Sequence, residues 1–147
     1  AKFEAAQAGA DEAIMLNGNG MVAEGTGENI FIVRNGSIAT PDLASGVLEG
    51  VTRDTVIKLA RAAGYEVEER PITRGELMVS QEVFMTGTAA EIVPVRAIDG
   101  VPVGSGRPGP VTQQMQSLYR DAARGEDARF TNWLDLPEGT HLEMLKA

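Results

Sequence analysis

The 147-residue chain contains no cysteine and only one histidine, His141. The lack of cysteine excludes disulfides, thiolate nucleophiles and thiolate metal ligands within these residues. With a single histidine, a metal site would have to be built from carboxylates, so we predict that no metal is bound. His141 lies in a polar stretch near the end of the chain, and we interpret it as a solvated surface residue.

Long apolar segments and an excess of positive charge are also missing. No hydrophobic run is long and uncharged enough to predict a membrane span, and the first residues do not resemble a signal peptide. The formal net charge is −8, from 13 lysines and arginines against 21 aspartates and glutamates, so no general field attracts nucleic acid. We expect a cytoplasmic protein without membrane or nucleic-acid partners. Its anionic ligands would be held by backbone dipoles or by a few placed side chains.

The residues that are present indicate one α/β domain. Hydrophobic residues make up 43% of the chain, which is enough for a single core. Asn35-Gly36 and Asp99-Gly100 separate apolar runs and predict tight β-hairpins, the first within an antiparallel meander over residues 12–40. Apolar spacing predicts helices over residues 51–64 and 109–124. Because a helix falls between groups of strands, we expect a mixed sheet.

The stretch "EGTGEN" places Glu24 and Glu28 on either side of a Gly-Thr-Gly turn. A turn of this kind requires glycine, but it does not require two flanking acids. Two interpretations are open. The stretch is either a polar hairpin turn or a turn that presents a carboxylate to a ligand.

Two further stretches could bind an anion without lysine. In "LEGVTRD", Gly50 would let the backbone approach a ligand, and the free N–H groups at the helix start could hold a phosphate beside the Thr52 hydroxyl. The alternative is that Thr52 is an ordinary N-cap. In "MTGTAAEI", the amides after a buried strand could form an anion nest, or the small residues could mark a place where bulk does not fit. Together, a carboxylate and two anion-binding turns suit a ligand with one phosphate and one cationic ring nitrogen.

These stretches, followed by "IDG" and "GPVT" in this order, resemble the fold-type IV pyridoxal-phosphate enzymes, also called class IV aminotransferases. The motifs are most similar to those of branched-chain amino-acid aminotransferases. The resemblance extends from Ala1 to about Leu136. It implies an α/β fold with a mixed, largely antiparallel sheet that forms a pseudo-barrel with flanking helices. Residues 1–136 would be a C-terminal pyridoxal 5′-phosphate domain, and residues 137–147 would be a polar tail.

The resemblance also implies roles for individual residues. Glu24 matches the acid that pairs with the pyridine nitrogen of the cofactor. The other implied cofactor contacts lie at the ring and the phosphate: Leu48 on the ring, and Gly50, Val51, Thr52 and Thr88 at the phosphate. The segment implied to surround the substrate carboxylate consists of Gly27, Thr88 and Ala89. Glu28 and Asn29 match positions with the structural role of bracing the turn.

As a member of this family, the intact enzyme would transfer the amino group of leucine, isoleucine or valine to 2-oxoglutarate. The family requires a Schiff-base lysine, and none of Lys2, Lys58 and Lys146 matches its position. We therefore expect the Schiff-base lysine and a smaller N-terminal segment to lie upstream of Ala1. The parent enzyme is expected to be a homo-oligomer. The fragment itself is expected to have no catalytic residue and no activity alone. The open alternatives are a D-amino-acid aminotransferase, an aminodeoxychorismate lyase, and a non-catalytic binding or assembly module with the same fold.

Overall fold

A computed structural model describes residues 1–134, which contain nine strands and four α-helices. The strands are β1 (Met21–Val22), β2 (Asn29–Arg34), β3 (Ser37–Thr40), β4 (Val67–Glu69), β5 (Ile72–Thr73), β6 (Glu82–Gly87), β7 (Glu91–Pro94), β8 (Ala97–Ile98) and β9 (Val101–Pro102). The helices are α1 (Lys2–Gln7), α2 (Val51–Ala62), α3 (Arg74–Met78) and α4 (Pro110–Ala123), with 3-10 segments at Leu43–Ser45 and Ala128–Trp133. The expected tail over residues 137–147, with His141, lies outside the described residues.

The main sheet has five strands in the order β4-β3-β2-β6-β7. Its neighbouring strands are antiparallel except β3 and β4, which are parallel. Parallel neighbours need a crossover connection, and α2 supplies it between β3 and β4. This arrangement confirms the predicted α/β class, with a mixed, largely antiparallel sheet and flanking helices.

Both predicted hairpin turns are confirmed by their backbone conformation. Asn35 and Gly36 have φ of 52° and 82°, and Asp99 and Gly100 have φ of 50° and 78°. Two successive positive φ angles define the type I′ turn, whose twist matches the strands on either side. Asn-Gly and Asp-Gly therefore fix the register of the β2–β3 and β8–β9 pairs.

The first part of the predicted meander differs from expectation. Residues 15–17 do run antiparallel to residues 21–24, through bonds such as Met15 N to Glu24 O at 2.8 Å. The regular strand there is only β1, however, and its ladder partner is β5. A pairing between segments about 50 residues apart leaves no local signal in either stretch.

Two groups of buried side chains lie on the two faces of the sheet. One face contains Ile30, Ile32, Val83 and Met85. The opposite face carries β2 and β6 side chains that pack against α2 and α4, including Phe31 and Phe84, whose stacked rings are 5.0 Å apart. Because α2 covers this face, its first turn is positioned near the end of the sheet where β2 begins.

The "GPVT" stretch starts α4 and is explained by packing. The buried Glu82 carboxylate on β6 accepts hydrogen bonds from Val111 N at 3.1 Å, from Thr112 N at 2.8 Å and from the Thr112 hydroxyl at 2.6 Å. A Cβ on Gly109 would lie 2.1 Å from Glu82 Cδ. Glycine at this position therefore lets an acid from the sheet cap the helix.

The segment after α4 contains regular structure, since Ala128–Trp133 forms a 3-10 segment. Phe130 packs into a small core with Leu59 and Ala122. Trp133 stays 39% exposed and contacts the Phe130 ring, with a centroid separation of 4.3 Å.

Candidate functional site

The "EGTGEN" turn and the "MTGTAAEI" stretch meet at one end of the sheet. Asn29 begins β2 and pairs with Thr86, one residue before β6 ends at Gly87. A Cβ on Gly87 would lie 3.2 Å from both the Glu28 Cγ and the Gly27 carbonyl oxygen. The two stretches are therefore in contact, and Gly87 allows their close approach.

The residues implied to surround the substrate carboxylate border this contact. Thr88 and Ala89 form the exposed turn between β6 and β7, and Gly27 is exposed in the neighbouring turn. Their backbone groups are accessible to a ligand at this end of the sheet.

Glu24 is held at the approach to α2. Its Oε2 atom accepts hydrogen bonds from the Leu48 amide at 2.9 Å and from Asn29 Nδ2 at 3.0 Å. Both bonds use Oε2, so Oε1 is the oxygen that can accept a donor from a ligand. The side chain is half-buried, which leaves it accessible from solvent.

Gly50 lies against Asn29 with no space for a side chain. A Cβ at position 50 would be 2.1 Å from Asn29 Oδ1. On the other side of the same amide, Asn29 Nδ2 donates to the Leu48 carbonyl at 3.0 Å. The "LEGVTRD" stretch is thereby joined to the "EGTGEN" stretch, while the Leu48 side chain remains 70% exposed.

The start of α2 excludes the alternative in which Thr52 is an ordinary N-cap. The helix begins at Val51, its N-cap is Gly50, and no side chain caps it. Thr52 is the second helical residue and is buried, so it is not the N-cap. The close approach of Gly50 to Asn29 sets this start, a contact that the local sequence does not reveal. First-turn N–H groups and the positive end of the helix dipole are suited to binding an anion.

Arg53 was not singled out by the sequence, although it follows Thr52 directly. It is only 5% exposed, and its Nη2 donates to the Pro41 carbonyl at 2.9 Å and to Glu69 Oε2 at 3.0 Å. The guanidinium thus ties the first turn of α2 to the end of β3 and to β4. A cation in the first turn of a helix interacts unfavourably with the helix dipole. That unfavourable position was the feature of the sequence that could have indicated a special role for Arg53.

Glu12 also supports the site and was missed. Its Oε1 accepts hydrogen bonds from Ala13 N at 2.8 Å, from Thr26 N at 3.2 Å and from the Thr26 hydroxyl. Burial by itself raises the pKa of Glu12, but these hydrogen bonds outweigh it and lower the pKa to about 2. The ionised carboxylate therefore fixes the middle of the "EGTGEN" turn.

The lysines that the structure describes are engaged in ion pairs. Lys2 Nζ lies 3.5 Å from Glu12 Oε2, and Lys58 Nζ lies 2.6 Å from Asp54 Oδ2. Lys146 lies outside the described residues. Within residues 1–134, no group of three or more acidic or histidine side chains could hold a metal ion. No helix in that range is long and apolar enough to cross a membrane.

Comparison with known proteins gives a consistent set of relatives. Residues 1–98 match the family model described as Amino-transferase class IV. The probable branched-chain-amino-acid aminotransferase of Aquifex aeolicus is 53% identical over 135 residues, which cover 91% of this chain and 43% of the relative. The branched-chain-amino-acid aminotransferase of Escherichia coli (strain K12) is 48% identical over 132 residues, with coverages of 90% and 43%.

Solved structures agree with these sequence matches. The branched-chain amino acid aminotransferase of T.th., complexed with N-(5′-phosphopyridoxyl)-L-glutamate, superposes with a TM-score of 0.88 at 47% identity. The match covers 97% of this chain and 46% of that one. The Thermobaculum terrenum enzyme in its PLP (holo) form also gives 0.88, at 50% identity, with coverages of 90% and 44%. The chain thus spans less than half the length of these relatives.

Proposed function

The chain belongs to the class IV aminotransferases, and from this membership we propose that it forms the pyridoxal 5′-phosphate-binding part of a branched-chain aminotransferase. The intact enzyme transfers the amino group of leucine, isoleucine or valine to 2-oxoglutarate. When bound, the cofactor supplies an electron-accepting ring that stabilises the charge left on the substrate α-carbon as its proton leaves. The observation that carries the proposal is the Glu24 carboxylate, fixed 2.9 Å from the Leu48 amide nitrogen at the approach to α2.

The groups at this end of the sheet fit such a cofactor in their chemistry. The Glu24 carboxylate is suited to pair with a protonated pyridine nitrogen, because an adjacent negative charge favours the protonated ring. The uncapped first turn of α2, with Gly50, Val51 and Thr52, offers backbone N–H groups to the phosphate. Arg53 is turned inward to Pro41 and Glu69, so the phosphate is assigned to backbone groups, the Thr52 hydroxyl and Thr88.

The remaining contacts follow from exposure and position. Leu48 is 70% exposed beside Glu24, and covering this side chain with a ring would remove apolar surface from water. Thr88, Ala89 and Gly27 border the other side of the site, where their backbone groups would meet the substrate carboxylate. In this proposal the chain's own residues bind and orient the cofactor and the substrate.

The proton-transferring lysine belongs to the whole enzyme in this proposal. Neither Lys2 in α1 nor Lys58 within α2 matches the position of the family lysine. The homo-oligomer is proposed for the whole enzyme as well. Exposed apolar side chains near the site, including Leu43 at 47% and Val51 at 79%, provide surface that further protein could cover.

The test is a substrate comparison with the complete reading frame that contains these 147 codons. We expect turnover of leucine, isoleucine and valine with 2-oxoglutarate, and loss of that turnover in a Glu24→Ala variant. D-Alanine and aminodeoxychorismate serve as the competing substrates. Turnover of either one without turnover of leucine would overturn the assignment to branched-chain substrates.

A further inference from the structure

Asn29 occupies a central position that bracing a turn does not require. It is 6% exposed and begins β2, directly after the "EGTGEN" turn. Its Nδ2 lies 3.0 Å from Glu24 Oε2 and 3.0 Å from the Leu48 carbonyl oxygen. Both neighbours are acceptors, so the nitrogen of the amide must face them, and its two hydrogens are used at once.

The other half of the amide faces the start of α2. Asn29 Oδ1 lies where a side chain at position 50 would begin, 2.1 Å from a Cβ built on Gly50. The Leu48 amide completes a ring of contacts by donating to the same Glu24 oxygen at 2.9 Å. One buried side chain therefore fixes both the Glu24 carboxylate and the backbone that leads into α2.

We propose that Asn29 is a positioning residue that sets the separation between the Glu24 carboxylate and the anion-binding turn of α2. The inference rests on the proposed function, in which these two groups hold the ring nitrogen and the phosphate of one cofactor molecule. Because Asn29 and the Leu48 amide occupy Oε2, Oε1 is the oxygen that would pair with the ring nitrogen. Loss of the amide would leave both binding groups present but free to change their spacing and orientation.

The first experiment needs no ligand and measures hydrogen exchange of the Leu48 amide by NMR in the 147-residue chain. Leu48 is largely exposed, so protection of its N–H depends on the Glu24 acceptor. We expect Asn29→Ala to accelerate this exchange by about tenfold, the factor expected for losing one charge-assisted hydrogen bond. Asn29→Leu, which has a similar shape but no hydrogen-bonding groups, should do the same and serves if the alanine variant does not fold.

Thr40→Val is the matched control. The buried Thr40 hydroxyl donates to the Ile30 carbonyl at 2.8 Å, so this variant also loses one buried hydrogen bond on the same sheet. Leu48 exchange should stay unchanged in it. Equal acceleration in Thr40→Val and Asn29→Ala would mean general destabilisation and would overturn the proposal.

The second experiment compares two ligands that differ only at the ring nitrogen. The probes are 4-deoxypyridoxine 5′-phosphate, which has no aldehyde to react with lysine, and its 1-deaza analogue, in which carbon replaces the nitrogen. We expect the preference of the chain for the nitrogen ligand to fall about tenfold in Asn29→Ala. In a Glu24→Gln background, Asn29→Ala should not change the preference further, because it acts through Glu24.

The outcomes separate this inference from the proposed function. Equal weakening of both ligands in Asn29→Ala would show a purely structural role and would overturn the positioning role. A wild-type chain without preference for the nitrogen ligand would contradict the role of Glu24 in the proposed function. Leu48 exchange would still test the role of Asn29 in that case, since unchanged exchange in both Asn29→Ala and Asn29→Leu overturns the inference.

Discussion

At the scale of single residues, Gly50 is the most sterically restricted position of the site. A side chain there would overlap Asn29 Oδ1, since the built Cβ is 2.1 Å away. We predict that Gly50→Ala lowers the free energy of unfolding by about 1–3 kcal/mol and weakens binding of a pyridoxal phosphate analogue. Urea unfolding and a binding titration measure the two effects.

Gly18 provides the control for this substitution. Nothing lies within 4 Å of a Cβ built on it, so Gly18→Ala should leave stability unchanged or raise it by about 0.4–1 kcal/mol. If both alanine variants behaved alike, the contact between Gly50 and Asn29 would not constrain the site.

Glu12 gives the molecule a defined response to acid. Its pKa is lowered from 4.5 to about 2 in the folded chain, so the unfolded chain binds this proton more readily. Its stabilising contribution is complete above about pH 5 and is lost as the pH falls towards 2. We predict that Glu12→Gln is less stable than the wild type at pH 7, by on the order of 1–2 kcal/mol, and that the difference shrinks near pH 3.

Urea midpoints at several pH values check this expectation. Glu49→Gln, at an exposed position, controls for the loss of one negative charge. A gap between wild type and Glu12→Gln that widened towards pH 3 would have the wrong sign and would exclude the hydrogen bonds from Thr26 as the cause.

Residues differ in how far the sequence predicts them. Glu24 could be selected because an acid next to a glycine turn is locally unusual, and Gly50 because it precedes a helix. Glu12 and Arg53 could not, since each is explained by partners far along the chain: Thr26 for Glu12, and Pro41 and Glu69 for Arg53. Their tertiary contacts, rather than their residue types, give these two their importance.

At the scale of elements, α4 depends on an acid from the sheet. Glu82 accepts from two backbone amides and one hydroxyl at the start of this helix. Truncating it to alanine would leave those donors unsatisfied in a buried setting. We predict that Glu82→Ala lowers the free energy of unfolding by about 2–3 kcal/mol.

Helix content and urea unfolding measure the effect of losing this cap. Glu126→Ala, at an exposed glutamate beyond the other end of α4, is the control and should change little. Equal destabilisation by the two substitutions would show that the Glu82 contacts do not support the helix.

Regular elements were predictable wherever the signal was local. The turns at Asn35-Gly36 and Asp99-Gly100 follow from the need for positive φ, and α2 and α4 follow from apolar spacing. The alternative that made Thr52 the N-cap of α2 was wrong, because the helix begins after Gly50, which packs against Asn29 from far earlier in the chain. The pairing of β1 with β5 was not predicted for the same reason.

At the scale of the whole molecule, the net charge of the chain has the same sign as the charge of the proposed phosphate ligand. The chain carries a formal net charge of −8, and the proposed phosphate contacts are mainly backbone groups. Long-range repulsion should therefore oppose binding of a phosphate dianion, and salt should screen that repulsion. We predict that affinity for the 1-deaza analogue rises modestly between low and physiological ionic strength.

A titration at several salt concentrations measures this trend. The analogue is used because it lacks the ring nitrogen, so its attraction to Glu24 does not obscure the effect. A steep fall in affinity with salt would mean that lysine or arginine side chains hold the phosphate, contrary to the assignment to the first turn of α2.

Because no side chain caps α2, the melting temperature of the protein should depend on the concentration of the cofactor. An anion bound at that helix start would accept the hydrogen bonds that a serine or aspartate N-cap accepts in other helices. The free energy of unfolding of the ligand-bound protein is therefore higher than that of the ligand-free protein. Its melting temperature should then climb with the logarithm of free cofactor concentration. Wherever cofactor is scarce, the first turn of α2 would lack this stabilisation.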